Sequence, residues 1–322
     1  MDGVILLADP KSNSWNFAVK IKDYIKNQKG ANVPLEEVSI TYFNNGEVDM
    51  HVPKNVRRKE VYFIHDSSKS PRDWWVELLL LKDLLLSASA ESVTFVLPDL
   101  LFSRKDRKEK PHVPISSRAL ANSISSHLKR IITMDLHADQ IQGFYPANCP
   151  MDNLHSFPEV VRYLERHPIS DSNNLVIVSP DAGGVSRARS FAQRLRIQQP
   201  IAFIYKRREK PGEVAEMRLV GDVKNSEVLI IDDIIDSGGT LCNAAKLLRD
   251  NGALKVHCYG THGIFSKGTP VLCNSFDRVM TSNTHYRENL DLSGVEIIDV
   301  SPVFAEAIYR SNKGLSISGL FE

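Results

Sequence analysis

Short apolar runs rich in β-branched residues alternate with longer amphipathic stretches along the chain. In the first half, apolar runs occupy residues 61–64, 93–97 and 130–134, and helical spacing of apolar residues occupies 74–86 and 116–127. A short apolar run is typical of a buried strand, whereas apolar residues three and four apart indicate a helix with one buried face. Strands that alternate with helices predict βαβ units and a mainly parallel sheet.

The same alternation begins again in the second half. Strand-like runs there cover residues 175–178, 201–204, 228–235 and 255–259, and helical segments cover 184–196 and 241–250. A chain of 322 residues is long enough for two domains with separate cores. We therefore predict an α/β protein with two similar halves, each a mainly parallel sheet flanked by helices.

The join between the halves is expected near residues 150–160, where Cys149-Pro150 and Phe157-Pro158 interrupt the periodicity. We place an N-terminal domain at residues 1–154 and a C-terminal domain at residues 155–303. No low-complexity linker separates them in the sequence.

The tail of the chain, residues 304–322, is predicted separately. A helix over about residues 303–311 is followed by an alternation of apolar and polar residues over 315–321, which predicts a strand. Such a strand can pair with either half, and we assign the tail to the N-terminal domain.

The charge balance excludes several classes of partner. The chain has 40 basic and 39 acidic residues, so neither a general nucleic-acid field nor attraction to a membrane is indicated. The apolar run near the N-terminus lacks a basic leader, and the predicted helix at 74–86 contains charged residues. The four cysteines show no CxxC spacing, which favours free buried thiols in a reducing compartment. We expect a soluble cytoplasmic protein.

The most informative motif joins a buried strand to a glycine-containing turn. The apolar run 228–235 contains Asp232 and Asp233 and leads into Asp236, Ser237, Gly238, Gly239 and Thr240, with a helix predicted from about Leu241. Backbone N–H groups and the positive end of a helix dipole can hold a phosphate there, and the two carboxylates can hold ribose hydroxyls or waters of Mg²⁺. The alternative is an ordinary strand-to-helix connection with acidic residues at a solvated strand end.

Two further groups follow predicted strands. Asp181 lies in the turn between the strand at 175–178 and the next helix, and His137 follows the strand at 130–134. Together they can form a metal site at the edge where open α/β sheets bind ligands. Separately, Asp181 is explained as a helix cap and His137 as an ordinary hydrogen-bonded histidine.

Cationic segments and a hairpin complete the candidate chemistry. Residues 205–213 carry four cations in a loop that can close over a polyphosphate, although a solvated surface loop has the same composition. Residues 104–110 mix basic and acidic side chains, which suits an anion or nucleotide contact better than a nucleic-acid patch. Residues 43–47 contain Asn-Gly between two strand-like runs, which predicts a β-hairpin turn.

The segment 228–240 resembles the PRPP (phosphoribosyl diphosphate) loop of type I phosphoribosyltransferases. In their order along the chain, all of these segments together resemble the ribose-phosphate diphosphokinase (PRPP synthetase) family, over about residue 3 to the C-terminus. The resemblance is carried by these segments: Phe43 to Glu47, Arg104 with Asp106 to Lys108, Pro114 to Ser116, Asp135 to His137, Gln140 to Phe144, Ser179 to Gly184, Lys206 to Arg208, and Asp232 to Thr240.

The resemblance implies two phosphoribosyltransferase-like domains with the active site between them. It also implies a Mg²⁺-dependent transfer of the diphosphate group of ATP to the 1-hydroxyl of ribose 5-phosphate, with AMP leaving. The family assembles as homo-oligomers, with dimers forming a hexamer, and ATP and ribose 5-phosphate are its substrates.

Residue by residue, the resemblance also implies site roles. Phe43, Asn45, Gly46 and Glu47 would form the adenine site, reached from a neighbouring subunit, and Arg104 and Lys105 would also contact ATP. His137 and Asp181 would be the ligands of Mg²⁺-ATP, and Lys206 and Arg208 would be the catalytic pair of the mobile loop, with Arg208 also near ribose 5-phosphate. Asp236, Ser237, Gly238, Gly239 and Thr240 would hold the 5-phosphate, and Asp232 and Asp233 the ribose hydroxyls or a second Mg²⁺.

The chain departs from the family pattern near the nucleotide segment. Position 105 is Lys where the family commonly has Gln, and Leu100 to Ser103 replace its aromatic-rich approach to Arg104. Two other functions stay open at this point. One is a non-catalytic regulatory paralogue of a PRPP synthetase assembly, and the other is a phosphoribosyltransferase that consumes PRPP.

Overall fold

The computed structural model describes residues 1–169, 174–207, 216–285 and 290–321. The chain divides into two compact units. The first unit contains residues 1–155, Thr284, His285 and the segment that begins at Val300. The second unit contains Ser156–Asn283 and the segment that ends at Asp299.

A parallel sheet forms the centre of the first unit. Its strands are β1 (Val4–Ala8), β2 (Leu35–Glu37), β5 (Glu60–Ile64), β6 (Ser92–Val96), β7 (Arg130–Met134) and β8 (Met151–Leu154), and β3 (Ser39–Tyr42) and β4 (Val48–His51) pair as a separate antiparallel hairpin. The strand order is β2-β1-β5-β6-β7-β8, and every pair in the sheet is parallel. The order changes direction between β1 and β5, which is where open α/β sheets form a crevice.

Helices cover both faces of this sheet. They are α1 (Asn13–Lys29), α2 (Pro71–Ser87) and α3 (Ser116–Ile124). Apolar residues three and four apart, such as Phe17, Ile21 and Ile25 of α1, are buried against the sheet. Each fully buried side chain of this kind contributes about 1.5–3 kcal/mol relative to an exposed one.

The second unit has a mixed sheet. Its strands are β9 (Leu175–Ser179), β10 (Ala202–Arg207), β11 (Glu216–Val220), β12 (Glu227–Ile235), β13 (Lys255–Gly263), β14 (Arg278–Ser282) and β15 (Val295–Ile298), and its helices are α4 (Phe157–Arg166), α5 (Val185–Arg194), α6 (Gly239–Asp250) and α7 (Pro270–Ser275). The order is β11-β10-β9-β12-β13-β14-β15. β10 and β11 are antiparallel, whereas the other neighbouring pairs are parallel. The predicted fold class is confirmed.

The C-terminal helix belongs to the first unit. Helix α8 (Ser301–Lys313) packs on α1, where the rings of Phe304 and Phe17 meet edge to face with centroids 5.3 Å apart. The predicted strand at 315–321 is wrong. Residues Ser318–Leu320 instead form a turn of 3-10 helix, because the backbone N–H groups of Leu320 and Phe321 bond to carbonyls three residues earlier.

The strand that leads to the predicted cationic loop is longer than expected. The apolar run predicts a strand that ends at Ile204, whereas β10 continues to Arg207. Antiparallel pairing with β11 extends it, with Tyr205 opposite Arg218 and Lys206 opposite Met217. Antiparallel strands at the edge of a sheet can have one face in solvent, so polar residues are tolerated there. The end of the apolar run therefore did not coincide with the end of β10.

Two further observations concern membrane-spanning helices and the cysteines. Among the described helices, none is long and apolar enough to cross a membrane. All four cysteines are free thiols, but only Cys149 and Cys258 are buried, while Cys242 and Cys273 are partly exposed.

Candidate active site

The turn after β12 forms a cradle of backbone N–H groups. Gly238 has φ of +77°, and a Cβ atom there would lie 2.8 Å from Cγ of Leu272, so glycine is required twice over. Helix α6 begins at Gly239, two residues before the predicted start. The first N–H groups of a helix have no partner within it, and the helix dipole favours an anion at this end. The side chains of Ser237 and Thr240 are exposed beside them.

The carboxylates of the strand stand just before the cradle. Asp233 is buried and accepts a hydrogen bond of 3.0 Å from Nη1 of Arg187, while the half-buried Asp232 accepts one of 2.9 Å from the backbone N–H of Asp233. Burial, together with the charge of Asp233, raises the pKa of Asp232 well above its usual range, and Arg187 opposes this. Two adjacent carboxyl groups can hydrogen-bond vicinal hydroxyls of a sugar.

The end of β12 is held by its neighbour β13. Gly260 lies opposite Asp232, and a Cβ atom at Gly260 would be 2.4 Å from Cγ1 of Ile235. The carbonyl of Ile235 accepts the N–H groups of Ile264 and Phe265 at 2.8 and 3.1 Å. Because Ile235 directly precedes Asp236, these contacts fix the position from which the cradle starts.

Asp181 follows β9, the strand beside β12. Its Oδ1 accepts the backbone N–H of Gly184 at 3.0 Å, its carbonyl accepts the hydroxyl of Ser179 at 2.7 Å, and the residue is exposed. Arg187 follows the same turn, in the first turn of α5. Its ion pair with Asp233 therefore joins the turn of Asp181 to the end of β12.

Lys206 lies near the end of β10, on the other side of β9, with a partly exposed side chain. Strands β10, β9 and β12 are neighbours and run parallel, so their carboxyl ends lie at the same edge of the sheet. Lys206, Asp181 and the cradle all lie at that edge. Arg208, the other predicted catalytic cation, lies outside the described residues.

In the first unit, the predicted hairpin turn is confirmed. The N–H of Phe43 bonds to the carbonyl of Glu47 at 2.8 Å, Gly46 has φ of +87°, and Oδ1 of Asn45 accepts the N–H of Glu47 at 3.1 Å. The side chain of Phe43 is 58% exposed. An exposed aromatic ring at the tip of an ordered turn can stack on a planar base.

The other candidates of this unit follow neighbouring strands. Arg104 and Lys105 come after β6 and His137 comes after β7, so the exposed side chains lie at the same edge of the sheet. The hydroxyl and N–H of Ser117 bond to the carbonyl of Lys105 at 3.0 and 3.3 Å, which ties this segment to the start of α3. Across the four described ranges, no three His, Cys, Asp or Glu side chains gather as a metal site.

Some residues around these sites were not predicted. Arg187 and Gly260 support the carboxylates and the end of β12. Under the hairpin, Tyr42 and Lys69 both hydrogen-bond to the buried carboxylate of Glu77. Beside these residues is a cavity of about 330 Å³, at the carboxyl ends of β1 and β5. The arginine in the first turn after a glycine pair was a usable signal, but the other contacts join residues distant in sequence.

Comparison with known proteins gives the family. Residues 10–127 match the N-terminal domain of ribose phosphate pyrophosphokinase, and residues 152–271 match the phosphoribosyl transferase domain. A ribose-phosphate pyrophosphokinase of Cereibacter sphaeroides is 39% identical and covers 98% of this chain and 95% of its own length. The chain belongs to the ribose-phosphate pyrophosphokinase family.

Other members of this family agree. Ribose-phosphate pyrophosphokinase 2 of Schizosaccharomyces pombe is 41% identical, over 89% of this chain and 90% of its own length. The crystal structure of phosphoribosylpyrophosphate synthetase from Mycobacterium smegmatis superposes with a TM-score of 0.84 at 29% identity, covering 97% of this chain and 100% of that one. The predicted resemblance is confirmed, and the fold of the chain matches that of a solved member of its family.

Proposed function

We propose that the protein transfers the diphosphate group of ATP to the 1-hydroxyl of ribose 5-phosphate. The 1-oxygen of the sugar forms a bond to the β-phosphorus as the bond from the β-phosphorus to the α-phosphate oxygen breaks. AMP leaves, the hydroxyl proton is released, and PRPP is formed. Such a displacement needs orientation and charge neutralisation more than a nucleophilic side chain.

The observation that carries this proposal is the edge formed by β10, β9 and β12 in the second unit. A phosphate cradle with φ of +77° at Gly238, two carboxyl groups before it and a lysine two strands away suit a phosphorylated ribose and a polyphosphate. In this reading, Asp236 to Thr240 hold the 5-phosphate, and Asp232 and Asp233 hydrogen-bond the ribose hydroxyls. Lys206, together with Arg208, neutralises charge that develops at the β-phosphorus.

The nucleotide is assigned to groups of the first unit. The exposed ring of Phe43 would stack on adenine, with Asn45, Gly46 and Glu47 beside it, and Arg104 and Lys105 would contact the phosphates or ribose of ATP. The family resemblance supports these roles.

We propose Mg²⁺ as the cofactor, with Asp181 and His137 as its protein ligands. A carboxylate is the ligand type that Mg²⁺ prefers, while an imidazole is a less usual one, and the remaining positions would be filled by phosphate oxygens and water. Oδ2 is the oxygen of Asp181 that does not accept the N–H of Gly184, and the exposed side chain presents it to solvent. When bound, the ion neutralises phosphate charge.

The proposal extends to assembly and location. We propose a homo-oligomer built from dimers up to a hexamer, in which the hairpin of one subunit serves the site of its neighbour, and a cytoplasmic location. We also propose that residues 1–154 with the tail 304–322, and residues 155–303, are folding domains. The family resemblance supports the assembly and the role of the hairpin, and the cysteine usage of the sequence supports the location.

The direct test is to mix the purified chain with ATP, Mg²⁺ and ribose 5-phosphate. AMP and PRPP should appear in equal amounts, and AMP should not exceed background when the sugar is omitted. Activity of the chain alone would exclude a purely regulatory paralogue. Release of diphosphate from PRPP only when a purine or pyrimidine base is added would instead favour the PRPP-consuming class.

A further inference from the structure

A carboxylate is buried under the hairpin of the first unit. Glu77 of α2 has no solvent exposure, and Nζ of Lys69 lies 2.9 Å from each of its oxygens. A buried charge is strongly destabilising unless a counter-charge and hydrogen bonds satisfy it. The ammonium of Lys69 also contacts Oδ2 of Asp9 at 3.2 Å, so this lysine satisfies two carboxylates at once.

The phenol of Tyr42 completes the coordination of Glu77. Its hydroxyl donates to Oε1 of Glu77. Burial, with the hydrogen bond to Glu77, raises the pKa of Tyr42, so the phenol stays a donor at alkaline pH as well as at neutral pH. His65 lies 3.5 Å from Oε2 of Glu77, but burial and the charge of Lys69 lower the pKa of His65 to about 3, so the imidazole is neutral and Lys69 supplies the positive charge.

Tyr42 lies at the end of β3, next to the hairpin turn. It is the last residue of β3 and directly precedes Phe43, the exposed residue at the hairpin turn. The hairpin is a two-stranded sheet outside the six-stranded one, and such a unit is marginally stable unless other elements hold it. Ile40 and Met50, opposite each other, pack the base of the hairpin on the core. At the end next to the turn, Val48 packs on the core, and Tyr42, which lies opposite Val48, adds the hydrogen bond to Glu77 of α2.

We infer that Tyr42, Glu77 and Lys69 position the hairpin for nucleotide binding. They are positioning residues, because they act through the hairpin. The inference rests on the proposed function, in which Phe43, Asn45 and Glu47 contact adenine. Loss of the Tyr42 hydroxyl releases the end of the hairpin and weakens ATP binding, while the ribose 5-phosphate cradle in the second unit is unaffected.

The first experiment compares two chemically identical deletions. Tyr42→Phe removes the hydroxyl that donates to Glu77, and Tyr24→Phe removes one that donates to Glu306 at 3.1 Å, between α1 and α8. Steady-state kinetics should give a KM for ATP raised about tenfold by Tyr42→Phe, the lower end of what a hydrogen bond to a charged group contributes. The KM for ribose 5-phosphate and kcat should stay within about a factor of two, and Tyr24→Phe should leave all three unchanged.

A second variant separates positioning from direct contact, because the ring of Tyr42 is 47% exposed and could itself touch ATP. The double variant Lys69→Met with Glu77→Met removes the network without leaving Glu77 buried and unpaired, and such replacements are often tolerated. Asp9 lines the neighbouring cavity, where water can reach it once Lys69 is gone. This variant should raise the KM for ATP as much as Tyr42→Phe, and adding Tyr42→Phe to it should cause little further change.

The inference is overturned if Tyr42→Phe binds ATP as wild type does, if Tyr24→Phe weakens ATP binding equally, or if the double variant leaves the KM unchanged. Calorimetric titration with ATP and Mg²⁺ measures the same effect without turnover. An inactive wild-type chain would therefore contradict the proposed function alone, and the titration would still decide whether the network positions the hairpin.

Discussion

The close approach of β13 to β12 allows a quantitative prediction at Gly260. In the Gly260→Ala variant the new methyl would lie 2.4 Å from Cγ1 and 2.9 Å from Cδ1 of Ile235. Carbon atoms in contact prefer about 3.5–4.0 Å, so Ile235 has to move by roughly 1 Å. Ile235 is the last residue of β12, and the displacement passes directly to Asp236 and the cradle.

The magnitude follows from two opposing effects. Overpacking a dense core costs about 1–3 kcal/mol. In the other direction, replacing glycine by alanine lowers the conformational entropy of the unfolded chain, which raises the free energy of unfolding by about 0.4–1 kcal/mol. We expect a net loss of about 1–2 kcal/mol, which lowers Tm by about 2–8 °C for a unit of this size. The Kd for ribose 5-phosphate should rise about tenfold, because a displacement of 1 Å in a binding site is costly.

Thermal unfolding and calorimetric titration with ribose 5-phosphate test both numbers. Gly143→Ala is the matched control, since nothing lies within 4 Å of a Cβ atom there. Adding Ile235→Ala to Gly260→Ala should recover part of the lost stability relative to the sum of the single changes, since each alters the same space. A Gly260→Ala protein with wild-type Tm and wild-type affinity would show that the contact does not fix the cradle.

Three other outcomes are expected. Lys206→Ala should lower kcat by at least a hundredfold with little change in the Kd of ATP, measured by single-turnover kinetics and titration; a large loss of ATP affinity would reassign this lysine to binding. Arg187→Ala should raise the KM for ribose 5-phosphate about tenfold because Asp233 loses its ion pair, Arg187→Lys should recover part of it, and exposed Arg189→Ala on the same helix should not change it. His65 has a folded pKa lowered to about 3, so the unfolded chain binds the extra proton below about pH 6.5 and the free energy of unfolding falls as pH decreases through that window. We expect the free energy of unfolding, measured with urea, to fall between pH 7 and pH 5 by about 1–2 kcal/mol less in His65→Gln than in wild type. An equal fall in both proteins would mean that other groups cause the pH dependence.

The sequence predicts elements best where burial is continuous. Strands β5, β6 and β12 are apolar runs buried along most of their length, and the alternation of such runs with helices was sufficient to predict the fold class. Edge elements were missed or shortened, because Glu216–Val220 of β11 alternates polar and apolar residues as an edge strand does. The predicted tail strand failed for a related reason, since alternation alone does not supply a pairing partner.

Side-chain chemistry was predictable only where it is local. The cradle and the hairpin turn depend on residues within a few positions of one another, and turn chemistry in the sequence was enough to find both. The contact of Tyr42 with Glu77 spans 35 positions and that of Arg187 with Asp233 spans 46. Such contacts depend on strand order and on which helix face is buried, and one sequence does not specify either at the level of a single atom pair.

The cradle alone does not decide the direction of the proposed chemistry, because it would bind a 5-phosphate in the same way whether PRPP is made or consumed. The distinction has to come from groups that an enzyme consuming PRPP does not need. The groups to which we assign ATP are of this kind: the exposed hairpin of the first unit, its anchor at the buried Glu77, and the cationic segment that follows β6. Burying the carboxylate of Glu77 costs free energy that Lys69 and Tyr42 offset, and this anchor lies next to the turn to which we assign the nucleotide. The edge of the second unit therefore supports binding of a phosphorylated ribose, and the choice between synthesis and consumption of PRPP depends on testing whether the hairpin of the first unit binds ATP.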